Sequence, residues 1–210
     1  MGISDYTTFT EVDPNSHVVI TDSDTITVTG LHRDENAYVY KDVGAGHFAA
    51  TGTYYAKLKI TAHADGVCFP IAMTDEATRE DMGTHWTGRD DACGCYTDNS
   101  GWWSAIECSG QDYDADASVL STGTPYWIKV VRTLALLRCY IYDNAAMGAG
   151  DLVGDVQVDI PSGQTYRCAY AVNSFDDGHS AQTITALVED LDIGESTASV
   201  PWHLLFGRTA

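Results

Sequence analysis

Hydrophobic and polar side chains alternate with a period of two along much of the chain. In the clearest segment, 54–60, the even positions hold Tyr, Ala, Leu and Ile, and the odd positions hold Tyr, Lys and Lys. Because successive side chains of a strand point to opposite faces, this pattern predicts a β-strand with one buried face. Helical periodicity is almost absent, and the one segment of helix-forming composition, Asp75 to Met82, is predicted to form a short helical turn.

The same alternation recurs from one end of the chain to the other. The clear segments are 126–133, 137–143, 156–160 and 168–172, and the weaker ones are 18–20, 25–29, 37–40, 67–73, 102–109 and 183–193. Glycine, proline, aspartate and asparagine separate them, as in Asp98-Asn99-Ser100-Gly101. About a dozen short strands with turns between them predict an all-β fold, either a sandwich or a barrel.

Length and composition favour a single domain over 1–210. The chain has 210 residues, of which 44% are hydrophobic, and no linker, charge block or repeat divides it. We expect the segments 1–15 and 196–210 to form extended terminal arms. No apolar run approaches the roughly 20 residues of a membrane span, and the N-terminus lacks the basic and apolar regions of a signal peptide. We therefore expect neither a membrane partner nor export.

The charge balance excludes one class of partner. Eleven Lys and Arg residues against 30 Asp and Glu residues give a formal net charge of −19. A surface of this sign repels phosphate groups, so we expect no nucleic-acid partner.

The six cysteines leave two interpretations open. Cys139 and Cys168 lie in apolar strand segments, where a free cysteine behaves as a small core residue. Cys93, Cys95 and Cys108 flank a loop rich in glycine and tryptophan, where a disulfide or a zinc site is the alternative. Cys93 and Cys95 have a CxC spacing, which departs from the CxxC spacing of zinc knuckles. A zinc site is therefore the weaker alternative and a disulfide the stronger one.

Three stretches occur in a characteristic order. The strand 53–60 follows a glycine turn, the strand 124–132 ends in Arg132 and is followed by a strand ending in Tyr142-Asp143, and the segment 183–193 comes last. This order resembles the concanavalin A-like lectin and glucanase jelly roll, including its laminin-G-like branch, and the resemblance implies that 183–193 closes a sheet beside the first strand. The resemblance implies an all-β fold class, a two-sheet antiparallel β-sandwich.

A fourth stretch, Ala37-Tyr38-Val39-Tyr40-Lys41-Asp42-Val43-Gly44, is similar to concanavalin A-like domains of phage virion proteins. On this resemblance we expect a non-enzymatic structural or decoration protein of a virus particle, assembled in the host cytoplasm. It would form a homo-oligomer, have capsid or other virion proteins as partners, and have the capacity to bind glycans. The alternatives are a free-standing carbohydrate-binding module or lectin, and a glucanase-like glycoside hydrolase.

The hydrolase alternative depends on three acidic residues. Asp190, Asp192 and Glu195 approximate the E-x-D-x-x-E strand motif of the glucanases in this superfamily. Retaining hydrolysis needs two carboxylates about 5 Å apart across the sugar ring. Aspartate in place of the first glutamate shortens the nucleophile's arm, so an acidic strand without catalytic function is the other interpretation.

Two oxygen-rich segments are candidates for a structural calcium ion. Asp112, Asp114 and Asp116 form a D-x-D-x-D pattern, whose alternate carboxylates converge on one ion if the segment is a curved loop. Asn173, Asp176 and Asp177 form a second such turn. The glycine and glutamate that continue an EF-hand are missing, so a solvated acidic loop is the alternative interpretation.

Aromatic residues are concentrated in the middle third of the chain. Trp86, Trp102, Tyr96 and Tyr113 lie in or near loop-like segments and are the candidate ligand-binding residues, because exposed aromatic rings stack on sugars and anchor protein interfaces. Trp103 and Trp127 occupy strand positions and are expected to fill the core. The histidines His63, His85, His179 and His203 have no spacing typical of a metal site or a triad, and we assign them no role.

Overall fold

A computed structural model describes residues 3–48, 51–76, 78–98, 100–116, 120–161 and 163–195. Within them a 3₁₀ turn at Tyr6–Thr8 precedes fourteen strands and one α-helix. The elements are β1 (Thr10–Val12), β2 (Val18–Ile20), β3 (Thr25–Arg33), β4 (Tyr38–Asp42), β5 (Gly52–Ala64), β6 (Cys68–Thr74), α1 (Met82–Gly88), β7 (Ala92–Thr97), β8 (Trp103–Glu107), β9 (Asp112–Asp116), β10 (Pro125–Arg132), β11 (Leu136–Tyr142), β12 (Leu152–Asp159), β13 (Cys168–Asn173) and β14 (His179–Asp192).

The strands form two seven-stranded sheets. Sheet A has the order β1-β4-β13-β6-β7-β8-β9, and sheet B has the order β12-β11-β10-β5-β14-β3-β2. Neighbouring strands in both sheets run antiparallel, as β10 does with β5 on one side and β11 on the other. The predicted fold class, a two-sheet antiparallel β-sandwich, is confirmed.

Alternate side chains of the two sheets fill the space between them. In β10 the side chains of Tyr126, Ile128 and Val130 are buried while their sequence neighbours are partly exposed. The predicted alternation in β5 is also present, with Leu58 and Ile60 completely buried. Removing these apolar side chains from water is the main stabilising contribution to such a fold.

A second apolar layer covers the outer face of sheet A. Its buried members are Tyr38, Val67, Phe69, Ala72, Met82, Ala92, Ile106, Cys108 and Tyr170. Met82 comes from α1, so the helix lies against this face rather than between the sheets. Sheet A is therefore buried on both faces in its centre, which explains why all seven residues of β6 are buried.

The helix begins later in the chain than the composition predicts. The prediction of a helical turn over Asp75 to Met82 was wrong, because the helix occupies Met82–Gly88. Asp81 is the N-cap, and its carboxylate accepts the backbone N–H of Thr84 at 2.9 Å. A helix starts after its capping residue, so the side chain of Asp81 determines this boundary more strongly than the propensities of the residues before it.

The N-terminal segment is packed rather than extended as an arm. Tyr6 is completely buried and Phe9 nearly so, and β1 pairs with β4 at the margin of sheet A. The predicted C-terminal arm, 196–210, lies outside the described residues. Among the residues that the structure describes, no helix has the length and apolar character needed to cross a membrane.

All six cysteines are free and buried, so the disulfide that the sequence left open as an alternative near Cys93, Cys95 and Cys108 is not formed. Cys93 and Cys95 do not flank a loop but lie in β7, where their side chains join the core between the sheets. Burial raises the pKa of the Cys68 and Cys93 thiols to about 12. A thiol that stays protonated is a poor zinc ligand, so these cysteines act as core residues.

Candidate functional site

A cavity of about 250 Å³ lies beside the outer face of sheet A, near the end where β6 and β8 begin and β7 and β13 end. We call it the aromatic cavity. It is lined by Arg33, Val67, Tyr96, Asp98, Ser100, Trp102, Tyr113 and Phe175. Three of the four aromatic residues singled out from the sequence thus meet in one place.

The apolar part of the aromatic cavity consists of a group of stacked aromatic rings and of two exposed rings. The ring of Phe69 stacks on Tyr96 with centroids 4.5 Å apart and on Phe175 with centroids 6.2 Å apart. Trp102 is 37% exposed and Tyr113 is 61% exposed. Because rings of this size are expensive to leave in water, two of them beside one cavity indicate a surface for a flat, partly apolar ligand.

The loop that carries Trp102 is held by one carboxylate. Oδ1 of Asp98 accepts the backbone N–H of Ser100 at 2.8 Å and that of Trp102 at 3.0 Å. Gly101 completes the turn with a φ of +73°, a conformation that costs glycine little. The backbone conformation at Trp102 is therefore set by the local Asp-x-Ser-Gly sequence. The second carboxylate oxygen, Oδ2, lies 3.4 Å from the hydroxyl of Ser104.

Arg33 brings a buried positive charge to the same cavity from sheet B. The residue is only 9% exposed, and its Nη2 forms an ion pair with Asp177 while Nη1 donates to Gln182. Burial lowers the pKa of Arg33, and the charges of Tyr96, Asp98 and Asp65 oppose this effect. The Nε–H group is buried without a hydrogen-bond partner among the described residues. A buried donor of this kind is costly to leave unpaired.

Trp86, the fourth predicted ligand residue, does not line the aromatic cavity. It lies in α1, half buried against the apolar layer of sheet A, and its backbone carbonyl accepts a hydrogen bond from Gln111 at 3.0 Å. Trp103 is fully buried, as expected for a core residue. The same expectation for Trp127 was wrong, because Trp127 is only partly buried, on the face of β10 opposite the core. Sequence reasoning missed Arg33, Asp98, Ser100 and Phe175. Only Asp98 and Ser100 had a usable signal, the turn next to Trp102.

The three aspartates of the predicted calcium loop lie instead in a straight strand, β9. Their Oδ2 atoms accept backbone N–H groups of β12: Asp112 from Asp159, Asp114 from Gln157 and Asp116 from Asp155, at 2.8, 2.9 and 3.0 Å. Residues two apart in a strand are separated by about 6.6 Å, so the three carboxylates do not converge on one ion. The prediction of a curved loop here was wrong.

The second predicted calcium segment is also engaged in protein contacts. Oδ1 of Asn173 accepts the backbone N–H of Met82 at 3.1 Å. Asp176 accepts the N–H of Gly178 at 3.3 Å, and Asp177 pairs with Arg33 and, at 2.8 Å, with His179. Among the described residues, two groups of three side chains lie close enough together to hold a metal ion. Neither group contains a predicted calcium ligand. Calcium binding by this chain stays a prediction.

The candidate hydrolase residues have different partners. A β-bulge interrupts β14 between Glu189 and Asp192, and Asp190 adopts a φ of +55° there. Asp190 lies 3.9 Å from Nζ of Lys57, whereas Glu195 forms an ion pair with Lys41 at 2.6 Å. The extra residue breaks the alternation that would place Asp190 and Asp192 on one face. Asp190 and Asp192 therefore do not share a strand face as the glucanase motif requires.

Comparison with known proteins establishes the fold. No protein-family model and no curated protein matches the sequence. A functionally unknown protein from Saccharomyces cerevisiae superposes with a TM-score of 0.57 at 11% identity, covering 90% of this chain and 97% of that one. The Ca²⁺/Man3GlcNAc-bound exoplasmic/lumenal domain of VIP36 gives 0.53 at 10% identity, covering 95% and 90%.

A carbohydrate-binding module, CBM66 from Bacillus subtilis, superposes with a TM-score of 0.51 at 12% identity, covering 91% of this chain and 98% of that one. The chain has the lectin-like jelly-roll fold. The resemblance drawn from the sequence is thus confirmed for the fold. Identities this low carry no conclusion about the ligand.

Proposed function

We propose that this lectin-like chain is a non-enzymatic glycan-binding module whose binding site is the aromatic cavity. One observation carries the proposal: Tyr96, Trp102 and Tyr113, chosen from the sequence as ligand-binding residues, line a single cavity together with Arg33 and Asp98. Apolar walls with a few convergent polar groups are typical of ligand sites. The fold supports the proposal by analogy, because the VIP36 domain is bound to Man3GlcNAc and CBM66 is a carbohydrate-binding module.

The cavity offers contacts both for the apolar C–H face and for the hydroxyl groups of a sugar ring. The exposed rings of Trp102 and Tyr113 provide planes on which the C–H face of a pyranose stacks. Arg33 and Asp98 line the same cavity and provide a guanidinium donor and a carboxylate acceptor for sugar hydroxyl groups. Because the cavity contains one guanidinium and one carboxylate in a chain of net charge −19, we propose a neutral sugar rather than an anionic one.

A glycan array followed by calorimetric titration of the best neutral oligosaccharide tests the proposal. Trp102→Ala and Tyr113→Ala should each weaken binding at least about tenfold, equivalent to about 1.4 kcal/mol. Trp86→Ala is the matched control, since Trp86 was also a sequence candidate but lies outside the cavity, and it should bind as the wild type does. Absence of any array signal, or equal affinity of all three variants, would refute the assignment.

Repeating the titration with Ca²⁺ and with a chelator tests the calcium prediction.

We keep the virion role as a proposal that rests on the sequence resemblance alone. A structural or decoration protein with capsid partners and a homo-oligomeric state is compatible with a glycan site on an exposed face. Gel filtration and co-purification with capsid proteins test it. A monomer that binds sugar and no capsid protein would contradict it.

A further inference from the structure

A group of metal-binding side chains lies at the edge of sheet B and plays no part in the aromatic cavity. His17 directly precedes the edge strand β2, His32 lies in β3, and Glu35 follows β3. The backbone carbonyl of His17 accepts the N–H of Thr29 at 2.7 Å, which fixes the hairpin that brings the two histidines together. We call these three residues the His-Glu cluster.

The geometry of the His-Glu cluster is compact. Nδ1 of His17 lies 2.7 and 2.8 Å from the two carboxylate oxygens of Glu35. The rings of His17 and His32 have centroids 5.1 Å apart and are inclined by 34°. One donor atom from each of the three side chains lies within 4.8 Å of the other two.

The surroundings hold the three side chains in place. Glu35 is only 6% exposed, and it accepts hydrogen bonds from the side-chain amide of Asn15 at 3.0 Å and the backbone N–H of His32 at 3.3 Å. Nδ1 of His32 contacts the backbone carbonyl of Ser180, a contact that keeps a proton on Nδ1 and leaves Nε2 as the electron-pair donor. Both histidine rings are partly exposed, so an ion from solvent can reach them.

We propose that His17, His32 and Glu35 form a binding site for a divalent transition-metal ion, with Zn²⁺ as the ion whose chemistry fits the donors. Two imidazoles and one carboxylate are typical zinc ligands, whereas Ca²⁺ requires six to eight oxygens. Donor atoms around a tetrahedral zinc lie about 3.3 Å apart, so shifts of about 1 Å convert the present spacing into a coordination shell. The ion takes the place of the hydrogen atom between Nδ1 of His17 and the carboxylate of Glu35, and the imidazole then carries its proton on Nε2.

A second group of similar composition is a poorer candidate. Glu80, His85 and Asp90 also bring three donor atoms within 4.8 Å of one another. His85 is completely buried, however, and both its ring nitrogens are engaged, Nδ1 with Asp90 at 3.1 Å and Nε2 with the hydroxyl of Tyr170 at 3.0 Å. A metal ion would have to break a buried polar network there. In the His-Glu cluster, by contrast, the described hydrogen bonds occupy one nitrogen of each ring.

The experiment is calorimetric titration of the untagged, chelator-treated chain with ZnCl2, and with CaCl2 and MgCl2 as comparisons. We expect one Zn²⁺ per chain and no saturable binding of Ca²⁺ or Mg²⁺ that depends on these residues. His17→Gln and His32→Gln should each weaken Zn²⁺ binding at least about 100-fold, since loss of outer partners alone costs 10- to 100-fold. His179→Gln is the matched control, because His179 is also exposed and also pairs with a carboxylate.

Thermal melting supplies a second measurement. Zn²⁺ should raise the melting temperature of the wild type and of His179→Gln but not that of the double variant His17→Gln, His32→Gln, because an ion that binds only the folded state stabilises it. Both single variants should melt close to the wild type without metal, which separates lost binding from lost folding. Absence of saturable Zn²⁺ binding, or unchanged binding in both single variants, would overturn the proposal.

Discussion

The carboxylate of Asp114 accepts a hydrogen bond from the backbone N–H of Gln157 at 2.9 Å, and this contact joins the edge strands of the two sheets. Asp112 and Asp116 repeat the contact with the N–H groups of Asp159 and Asp155. Since β9 and β12 are each the last strand of a sheet, the three aspartates cover the row of donors that an edge strand otherwise exposes. The D-x-D-x-D pattern closes one side of the sandwich.

Removing this closure should destabilise the protein. We expect Asp114→Ala to lower the free energy of unfolding by about 1 kcal/mol, because the N–H of Gln157 loses its charged acceptor. Replacing all three aspartates by alanine should cost about 3 kcal/mol and promote aggregation through the freed edge of β12. Urea unfolding and light scattering measure the two effects. Asp34→Ala, at an exposed position, is the control, and a triple variant as stable as this control would contradict the prediction.

The strands could be predicted from the sequence wherever one face is buried. The alternation in 54–60 and 126–133 follows directly from the contact of these faces with the core. The role of Asp114 could not be predicted in this way, because its partner Gln157 is 43 residues further along the chain. A pattern of alternate carboxylates is the same in a calcium loop and in a strand. The partner strand alone distinguishes them.

Asp81 connects α1 to the loop between β13 and β14 and should be sensitive to substitution. Its Oδ1 accepts the N–H groups of Thr84 at 2.9 Å and Asp176 at 3.0 Å, and its Oδ2 accepts the hydroxyl of Thr84 at 2.6 Å. Because the residue is almost completely buried, Asp81→Ala leaves these donors unpaired and should cost about 2 to 3 kcal/mol. Asp81→Asn keeps an acceptor and should cost less. An alanine variant as stable as the wild type in urea unfolding would show that the cap is unimportant.

Only some of the residues that line the aromatic cavity could be predicted from the sequence. Trp102 and Tyr113 could be found because they stand in acidic or glycine-rich surroundings rather than among alternating apolar residues. Arg33 could not, because it belongs to β3 of sheet B and meets Tyr96 only through the packing of the sandwich. His17 and His32 were missed for a related reason, since a hairpin brings them together from positions without a metal-binding spacing.

The buried cysteines should be unreactive in the folded protein. All six are buried, and the pKa of Cys68 and of Cys93 is raised to about 12 by burial, so little thiolate forms at neutral pH. We expect a thiol reagent such as DTNB to label none of them within minutes in buffer and all six in 6 M guanidinium. A thiol that reacts rapidly in the folded state would contradict the buried positions. Fewer than six after unfolding under non-reducing conditions would indicate a disulfide.

Asp190 should make the stability of the protein depend on pH between about 4 and 6. Burial raises the pKa of this carboxyl from 3.8 to about 6, although the ammonium group of Lys57 opposes the shift. The folded state therefore holds the proton more tightly than the unfolded state does. The ionised carboxylate weakens the fold at pH 7, and this penalty disappears as the pH falls through 6 towards 4.

Asp190→Asn removes the penalty and is therefore expected to stabilise the protein at pH 7. Asparagine tolerates the φ of +55° at this bulge, and Lys57 keeps Glu189 as a partner at 3.1 Å. The full pKa difference corresponds to about 3 kcal/mol, and screening by solvent reduces the expected gain to about 1 to 2 kcal/mol. Urea unfolding of both proteins at pH 7 and pH 4.5 should show the gain at the higher pH and a smaller difference at the lower. Asp34→Asn, at an exposed position, is the control. An equal gain at both pH values would mean that ionisation of Asp190 is not its cause.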